Sequence, residues 1–197
     1  MVHLVNLQTL FGSQDQAYEN IVTDTMFRTR CAIPAIVQSY NPKTNTAEVQ
    51  PAIREKMIAE DGTIYYQQLP LLLDVPVVFP QTKTCGISFQ LKKNDECLVI
   101  FSDLAIDNFW EKGSIQNPVE VRRHDLSDGI AIPCILSQPN TLPVKDALTL
   151  KHGNSFVEIT DNEITFSNGT HTATLTQLLT HFHNAPSGGG NTSTPKF

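Results

Sequence analysis

Two histidines two positions apart, His181 and His183 in the run HFH, form the clearest metal-ligand pattern in this chain of 197 residues. In extended backbone, residues two apart point to one side, so both imidazoles can face a common axis. Two nitrogens from one chain make a poor metal site, whereas three chains on a threefold axis supply six. Imidazole suits iron, nickel, copper and zinc, and six nitrogen donors disfavour zinc, whose structural sites are nearly always tetrahedral. A second dense polar cluster comprises Arg122, Arg123, His124, Asp125, Ser127 and Asp128. His124, Asp125 and Ser127 are the residue types of a hydrolytic triad, but they are almost contiguous, whereas triad members are assembled from separate elements. No G-x-S-x-G elbow accompanies them. The expected role is a network of turns and ion pairs, with a hydrolase using His124, Asp125 and Ser127 as the lesser alternative. Cys31, Cys85, Cys97 and Cys134 form no CxxC pair, which makes a zinc cluster a weak reading. They are expected to be reduced core residues of a protein assembled inside a cell.

The elements that must position these groups are mainly strands. Val, Ile, Leu and Phe make up about 28% of the chain, too much for a disordered segment. Only 17% is charged and Thr contributes 20 residues, a bias toward β-structure. A net charge of −6 argues against general binding to nucleic acid or anionic membrane. No apolar run is long enough for a membrane-spanning helix, and MVHLVNLQTLFG lacks the marks of a signal peptide.

Residues 13–29 read as a helix with Ser13 and Gln16 as a capping box. Its stripe of Tyr18, Ile21, Val22, Thr25 and Met26 faces a core or a partner. From Cys31 the period changes to that of strands. CAIPAIVQSY leads through the turn NPKTN into TAEVQPAIRE, which places Ala47, Val49, Pro51 and Ile53 on one side. Asp61-Gly62 marks a hairpin into IYYQQ. LPLLLDVPVVFP is bent or at an edge because of its prolines, and GISFQL, the turn KKND and ECLVIFS complete about five strands. This pattern fits a small Greek-key barrel of the OB type. Such barrels often bind single strands through basic grooves with exposed aromatics. Here acidic and basic residues balance, and one of Tyr65 and Tyr66 is expected in the core. In the stretch that follows, Phe109 and Trp110 read as an amphipathic pair packing at an interface.

The last quarter is different in kind. LTLK, SFVEI, EITFS and HTATL recur every seven or eight residues, separated by turns at His152-Gly153-Asn154, Asp161-Asn162 and Asn168-Gly169. These turns could each close a simple hairpin, but the apolar residues are too few to stabilise a separate small domain. Intertwining of three identical chains removes both the missing core and the open edges.

The run LKKNDECLVIFSDLAIDNFW, followed by VRRHDLSDGIAI, resembles the OB-fold domain of central spike proteins in contractile-tailed bacteriophages. That family is described as membrane-piercing or cell-puncturing spikes, or baseplate assembly proteins. VQPAIRE and DVPVVFP fit the same pattern, and HFHNAPSGGGNTSTP resembles the spike-tip motif of H-x-H before a Gly/Ser-rich tail. The resemblance implies a homotrimer with an N-terminal helical segment over 1–30, an OB barrel over 31–110 and a connector over 111–145. A narrow triple-stranded β-helix over 146–180 and a metal-binding tip over 181–197 would follow. It further implies one iron per trimer held by His181 and His183 of each chain, with Phe182 turned away from the axis.

By the same resemblance the partners are other copies of the chain, the tail hub, tube or baseplate, and transiently the host outer membrane. The location is the tip of the contractile tail after assembly in the host cytoplasm. No enzymatic activity, small-molecule substrate or nucleic acid is expected. The alternative from another class is an OB-fold nucleic-acid-binding protein.

Overall fold

The computed structural model describes residues 14–133 and 135–181, which fall into two compact units, one ending at Asn140 and the other beginning at Thr141. The first unit opens with helix α1 (Gln14–Arg28), as its apolar spacing predicts. Asp15 in its first turn complements the helix dipole, and Thr25 returns its hydroxyl to the Ile21 carbonyl at 2.8 Å. Ser13, the expected cap, lies outside the described residues. Tyr18, Ile21, Val22 and Met26 are exposed, so among the described residues the stripe packs into no core.

The chain then enters β1 (Ala32–Asn41) and β2 (Thr46–Pro51), followed by the hairpin β3 (Glu55–Ile58) and β4 (Ile64–Gln67). β5 (Leu72–Pro76), β6 (Glu96–Phe101), the short helix α2 (Asp107–Lys112) and β7 (Gly129–Ile132) complete the unit. Five strands form one curled antiparallel sheet in the order β5-β2-β1-β6-β7. Beyond its edges, Val77 and Ala131 meet in a single parallel bridge, and the Val78 N–H donates to the Ala131 carbonyl at 2.9 Å. The β1–β2 turn holds this closure. Asn45 adopts a left-handed φ of 55°, its side-chain amide donates to the Val77 carbonyl at 2.7 Å, and its own carbonyl accepts the Val77 N–H at 2.9 Å.

Strand periodicity sorts the side chains. On β6, Cys97, Val99 and Phe101 point inward, and on β2 Ala47 and Val49 do the same. With Val37, Val75, Val77, Phe79 and Leu91 they form the hydrophobic core. Each fully buried side chain of this size contributes roughly 1.5–3 kcal/mol, which orders the site residues anchored to this sheet.

Five expectations are corrected here. GISFQL is not a strand, since only Gly86 makes an isolated bridge, to Gln81, and Ile87 and Phe89 are exposed. β1 is already flanked by β2 and β6, and the far side of β6 pairs with Gly129–Ile132 from the stretch expected to be a connector. Ile53 is exposed while Ala47, Val49 and Pro51 are buried, because the chain leaves β2 at Pro51. Tyr65 and Tyr66 are both exposed, because β3 and β4 form a separate two-stranded ribbon with no layer beneath either tyrosine. Cys31, just before β1, and Cys85, in the loop after Pro80, are exposed rather than in the expected core because neither occupies an inward-facing strand position, and Cys97 alone of the described cysteines is buried.

The second unit is a four-stranded antiparallel meander of β8 (Leu148–His152), β9 (Ser155–Ile159), β10 (Ile164–Asn168) and β11 (Thr172–Thr174). The strands fall where the repeat spacing predicts, and within one chain they pair as simple hairpins. Gly169, at φ 87°, makes the β10–β11 turn possible, and an added Cβ would come within 2.9 Å of the Asn154 Cβ in the preceding turn on the same end of the sheet. After β11 the chain forms a helix, α3 (Leu175–Thr180), where a continuing β-structure was expected. Thr174 and Gln177 make a reciprocal capping box that starts it, a local signal strong enough to end the strand.

Candidate functional site

The candidate sites are distributed over both units. In the first, Asp128 is wholly buried at the end of the 3-10 turn Leu126–Asp128 that leads into β7. Its carboxylate accepts from Arg122 Nε at 2.7 Å, Arg122 Nη2 at 3.0 Å and the Ile106 N–H at 3.0 Å. Arg122 also reaches Asp107 in the first turn of α2 and Glu120 at 3.2 Å. Hydrogen bonding to Asp128 raises the guanidinium pKa above its ordinary value. A planar five-donor guanidinium suits this arrangement: Nε and Nη2 bind the inner carboxylate, Nη2 also donates to Asp107, and Nη1 donates to Glu120.

The consequence is positional. Arg122 and Asp128 tie the start of α2 to the end of the sheet, and α2 carries Phe109 and Trp110, both exposed. Arg123 pairs with Asp103 at 2.8 Å outside this inner network.

The triad types are present but are not arranged as a triad. Asp125 accepts the Ser127 N–H at 2.8 Å and caps the 3-10 turn, which lowers its pKa below the usual carboxylate value of 3.8. The two ring nitrogens of His124 go elsewhere, Nδ1 to the Arg30 carbonyl at 3.1 Å and Nε2 toward Asp103 at 3.5 Å. His124 is thereby a strut between the start of β1 and the loop before α2.

A recess of about 300 Å³ lies beside β1 and β6, lined by Pro34, Ile36, Ile53 and Leu136. Its polar edge is Glu96, whose carboxylate accepts Ser137 Oγ and Asn140 Nδ2, each at 2.7 Å. With the Ser137 N–H as the largest cause, these bonds hold the Glu96 pKa below 4.5. The carboxylate is thus committed to folding the 137–140 turn back onto the sheet.

In the second unit the register separates two sheet faces. Leu148, Ile159 and Ile164 make one row of neighbours, and Leu150, Val157, Phe166 and Ala173 make the next. On the opposite face stand Thr149, Glu158, Thr165 and Thr174, then Lys151, Phe156, Ser167 and Thr172. Lys145 covers part of that second face, its ammonium 5.6 Å from the Phe156 ring centroid and paired with Glu158. The first face is apolar and, among the described residues, only partly covered, with Leu148 63% and Leu150 54% exposed.

Of the two expected metal ligands, His181 follows α3 directly, with extended backbone at φ −65° and ψ 149°. Its Nδ1 lies 2.6 Å from the Leu178 carbonyl, and as donor there it leaves the ring's lone pair on Nε2. Histidine ligands are commonly oriented by such a bond from the other nitrogen. His183 lies outside the described residues, and among those described no group of three or more metal-ligating side chains occurs.

No curated protein sequence matches the chain significantly. The family described as phage protein Gp138 N-terminal domain matches residues 33–134. That segment begins in β1 and ends just after β7, taking in the whole curled sheet, the hairpin and the Arg122–Asp128 network. It covers more than half of the chain, which therefore belongs to the Gp138 N-terminal domain family of phage proteins.

Proposed function

We propose that this protein is a structural component of a phage tail, a homotrimeric central spike that pierces the host outer membrane when the tail sheath contracts. The observation that carries this reading is the two-faced sheet of the second unit, with its exposed apolar side. A four-stranded meander of this size has too little core to stand alone, and among the described residues nothing pairs with the outer edges of β8 and β11. Three identical sheets joined edge to edge, β8 of one against β11 of the next, would leave no free edge and turn the apolar faces toward one another. Such a closed β-prism is the stiff element that piercing needs. In the first unit, the strand order of the curled sheet and the Val77–Ala131 bridge support a Greek-key barrel of the OB type. The exposed stripe of α1 and the aromatic pair on α2 would dock on the tail hub, tube or baseplate. The role is mechanical, and His124, Asp125 and Ser127 serve turns and struts rather than turnover.

The resemblance to tail spikes implies iron at the tip, and the donor chemistry fits. His181 leaves its helix in extended backbone, and imidazole is a donor that suits iron, so His181 and His183 from three chains would offer six imidazoles. Bound there, the metal would supply a crosslink among three chains.

Sedimentation equilibrium tests the assembly: a particle three times the 21.9 kDa chain mass supports the spike, and a monomer overturns it. Elemental analysis tests the tip separately, with one iron per three chains expected. A trimer without transition metal removes the site and leaves the assembly. Replacing His181→Ala together with His183→Ala should abolish bound iron while the trimer persists.

One observation favours a second reading, a barrel that binds single-stranded nucleic acid. Tyr65 and Tyr66 are both exposed on the hairpin, with Lys56 directly across from Tyr66. Glu55, Glu60 and Asp61 on the same hairpin and the net charge of −6 oppose it. This reading requires single-strand affinity that falls steeply with salt, and fails without it.

A further inference from the structure

We infer that the β3–β4 hairpin of one copy seats Tyr66 and Ile64 in the recess beside β1 and β6 of the next copy, an inference that rests on the trimer proposed above. Lys56 pairs with Tyr66 and Ile58 with Ile64, so strand alternation puts these four side chains on one face of the ribbon. That face is apolar with a single charge, the Lys56 ammonium. Tyr66, Ile58 and Ile64 are all exposed, and the ribbon therefore does not fill the recess of its own chain. Its start is fixed by the Arg30–Glu55 ion pair at 3.3 Å, just beyond Ile53 in the recess wall.

The recess has the same makeup with the opposite charge. Pro34, Ile36, Ile53, Ile135 and Leu136 line it, and Glu96 is the one charged residue among its described walls. Ser137 and Asn140, which donate to Glu96, are neutral, so the carboxylate keeps its charge at the rim. An apolar wall with one anion thus meets an apolar ribbon face with one cation, and the two charges fix the register of entry. The sizes agree as well. A cavity of ~150 Å³ holds one benzene ring, and about 300 Å³ has room for the Tyr66 ring with Ile64 beside it. A projecting hairpin and a recess on the same unit make a heterologous contact, in which each copy gives to one neighbour and receives from the other. Closed into a ring of three, such contacts leave no hairpin and no recess unfilled. They join the first units independently of the apolar face of the second.

Hydroxyl-radical footprinting of the wild-type protein, run beside sedimentation, is the first test. In one chain Tyr66 is 63% exposed and Tyr65, on the other face of the ribbon, 46%. In the trimer the order should reverse, with Tyr66 oxidised several-fold more slowly than Tyr65. A trimer in which Tyr66 stays the more reactive overturns the inference and leaves the trimer standing. A monomer overturns the trimer and this contact with it. A disulfide then identifies the seat. In the full chain carrying Cys31→Ser, Cys85→Ser and Cys134→Ser, Tyr66→Cys combined with Leu136→Cys should give a covalent trimer on mild oxidation with copper phenanthroline. Tyr65→Cys combined with Leu136→Cys should not. No trapping, a link within one chain, or equal trapping from both pairs overturns the inference. If the cysteine variants do not assemble, the wild-type footprint decides.

Discussion

Arg122 grips Asp128 through two nitrogens, Nε at 2.7 Å and Nη2 at 3.0 Å, and the carboxylate it grips has no exposed surface. Removing one partner of such a pair leaves an uncompensated buried charge, at a cost of about 3–5 kcal/mol. Arg122→Ala should therefore lower the thermal midpoint of the first unit markedly. Arg122→Met combined with Asp128→Leu should recover much of that loss, because the desolvated charge goes with its partner. Thermal melts of the three proteins read the difference. A double variant no better than the single one would show that the Ile106 N–H, rather than the charge, is what Asp128 is there to satisfy.

Cys97 sits in the core of the curled sheet, and burial pushes its thiol up to about 11. Cys31 and Cys85 are exposed. Since the thiolate is the nucleophile, brief alkylation of the folded protein near neutral pH should modify Cys31 and Cys85 and spare Cys97. In denaturant Cys97 should react as well. Peptide mass mapping gives the answer position by position.

Much of this architecture could be read from residue types, and the failures have identifiable causes. Turn residues worked because their chemistry is local: Asn45 and Gly169 take left-handed backbone where NPKTN and Asn168-Gly169 predict turns. The strands around Asp161-Asn162 likewise fall where the spacing places them. GISFQL misled because alternation says nothing about whether a sheet edge is free, and the short GIAI run of β7 occupies that place. Tyr65 and Tyr66 misled for the related reason that a ribbon's exposure depends on what lies beneath it. At the site, the composition of the Arg122–Asp128 cluster was visible as a structural network. That Asp128 is its buried centre and Ile106 a third donor was not, because both follow from how residue 106 is brought back to residue 128.

Acid should weaken the fold through carboxylates whose charged forms are hydrogen-bonded. Asp125 and Asp61 are held below 3.8, chiefly by the N–H groups of Ser127 and Thr63. Glu96 and Glu163 are held below 4.5, chiefly by Ser137 and Thr176. A depressed folded pKa means stabilisation that is complete above the unfolded value and lost as pH falls through the folded one. Stability should thus be level with respect to these groups at neutral pH and decline below the ordinary carboxylate range. Asp125→Asn, which retains a capping oxygen, should flatten part of that decline at a cost of only a few tenths of a kcal/mol at neutral pH. Denaturant midpoints across pH measure both effects, and an Asp125→Asn curve parallel to wild type throughout would exclude the cap as a contributor.

The proposed shaft makes its sharpest demand on the two faces of the second unit. Val157 and Phe166 are direct cross-strand neighbours on the apolar face, while Thr165 lies beside Glu158 on the other. If three copies bury the first face, Phe166→Asp places a carboxylate in each subunit contact, and three copies place three in one shared interior. Burying an unpaired carboxylate costs several kcal/mol, enough to shift a trimer to monomers at micromolar concentration. Thr165→Asp adds the same charge beside Glu158 on the opposite face, and should leave the trimer intact with at most a modest loss from like-charge repulsion. Both variants keep the curled sheet of the first unit, whose core shares no residue with either position, so the two-state melt of that unit serves as the internal control for folding. Monomers from Phe166→Asp and trimers from Thr165→Asp assign the apolar face to the subunit contact. Trimers from both place that contact elsewhere on the chain.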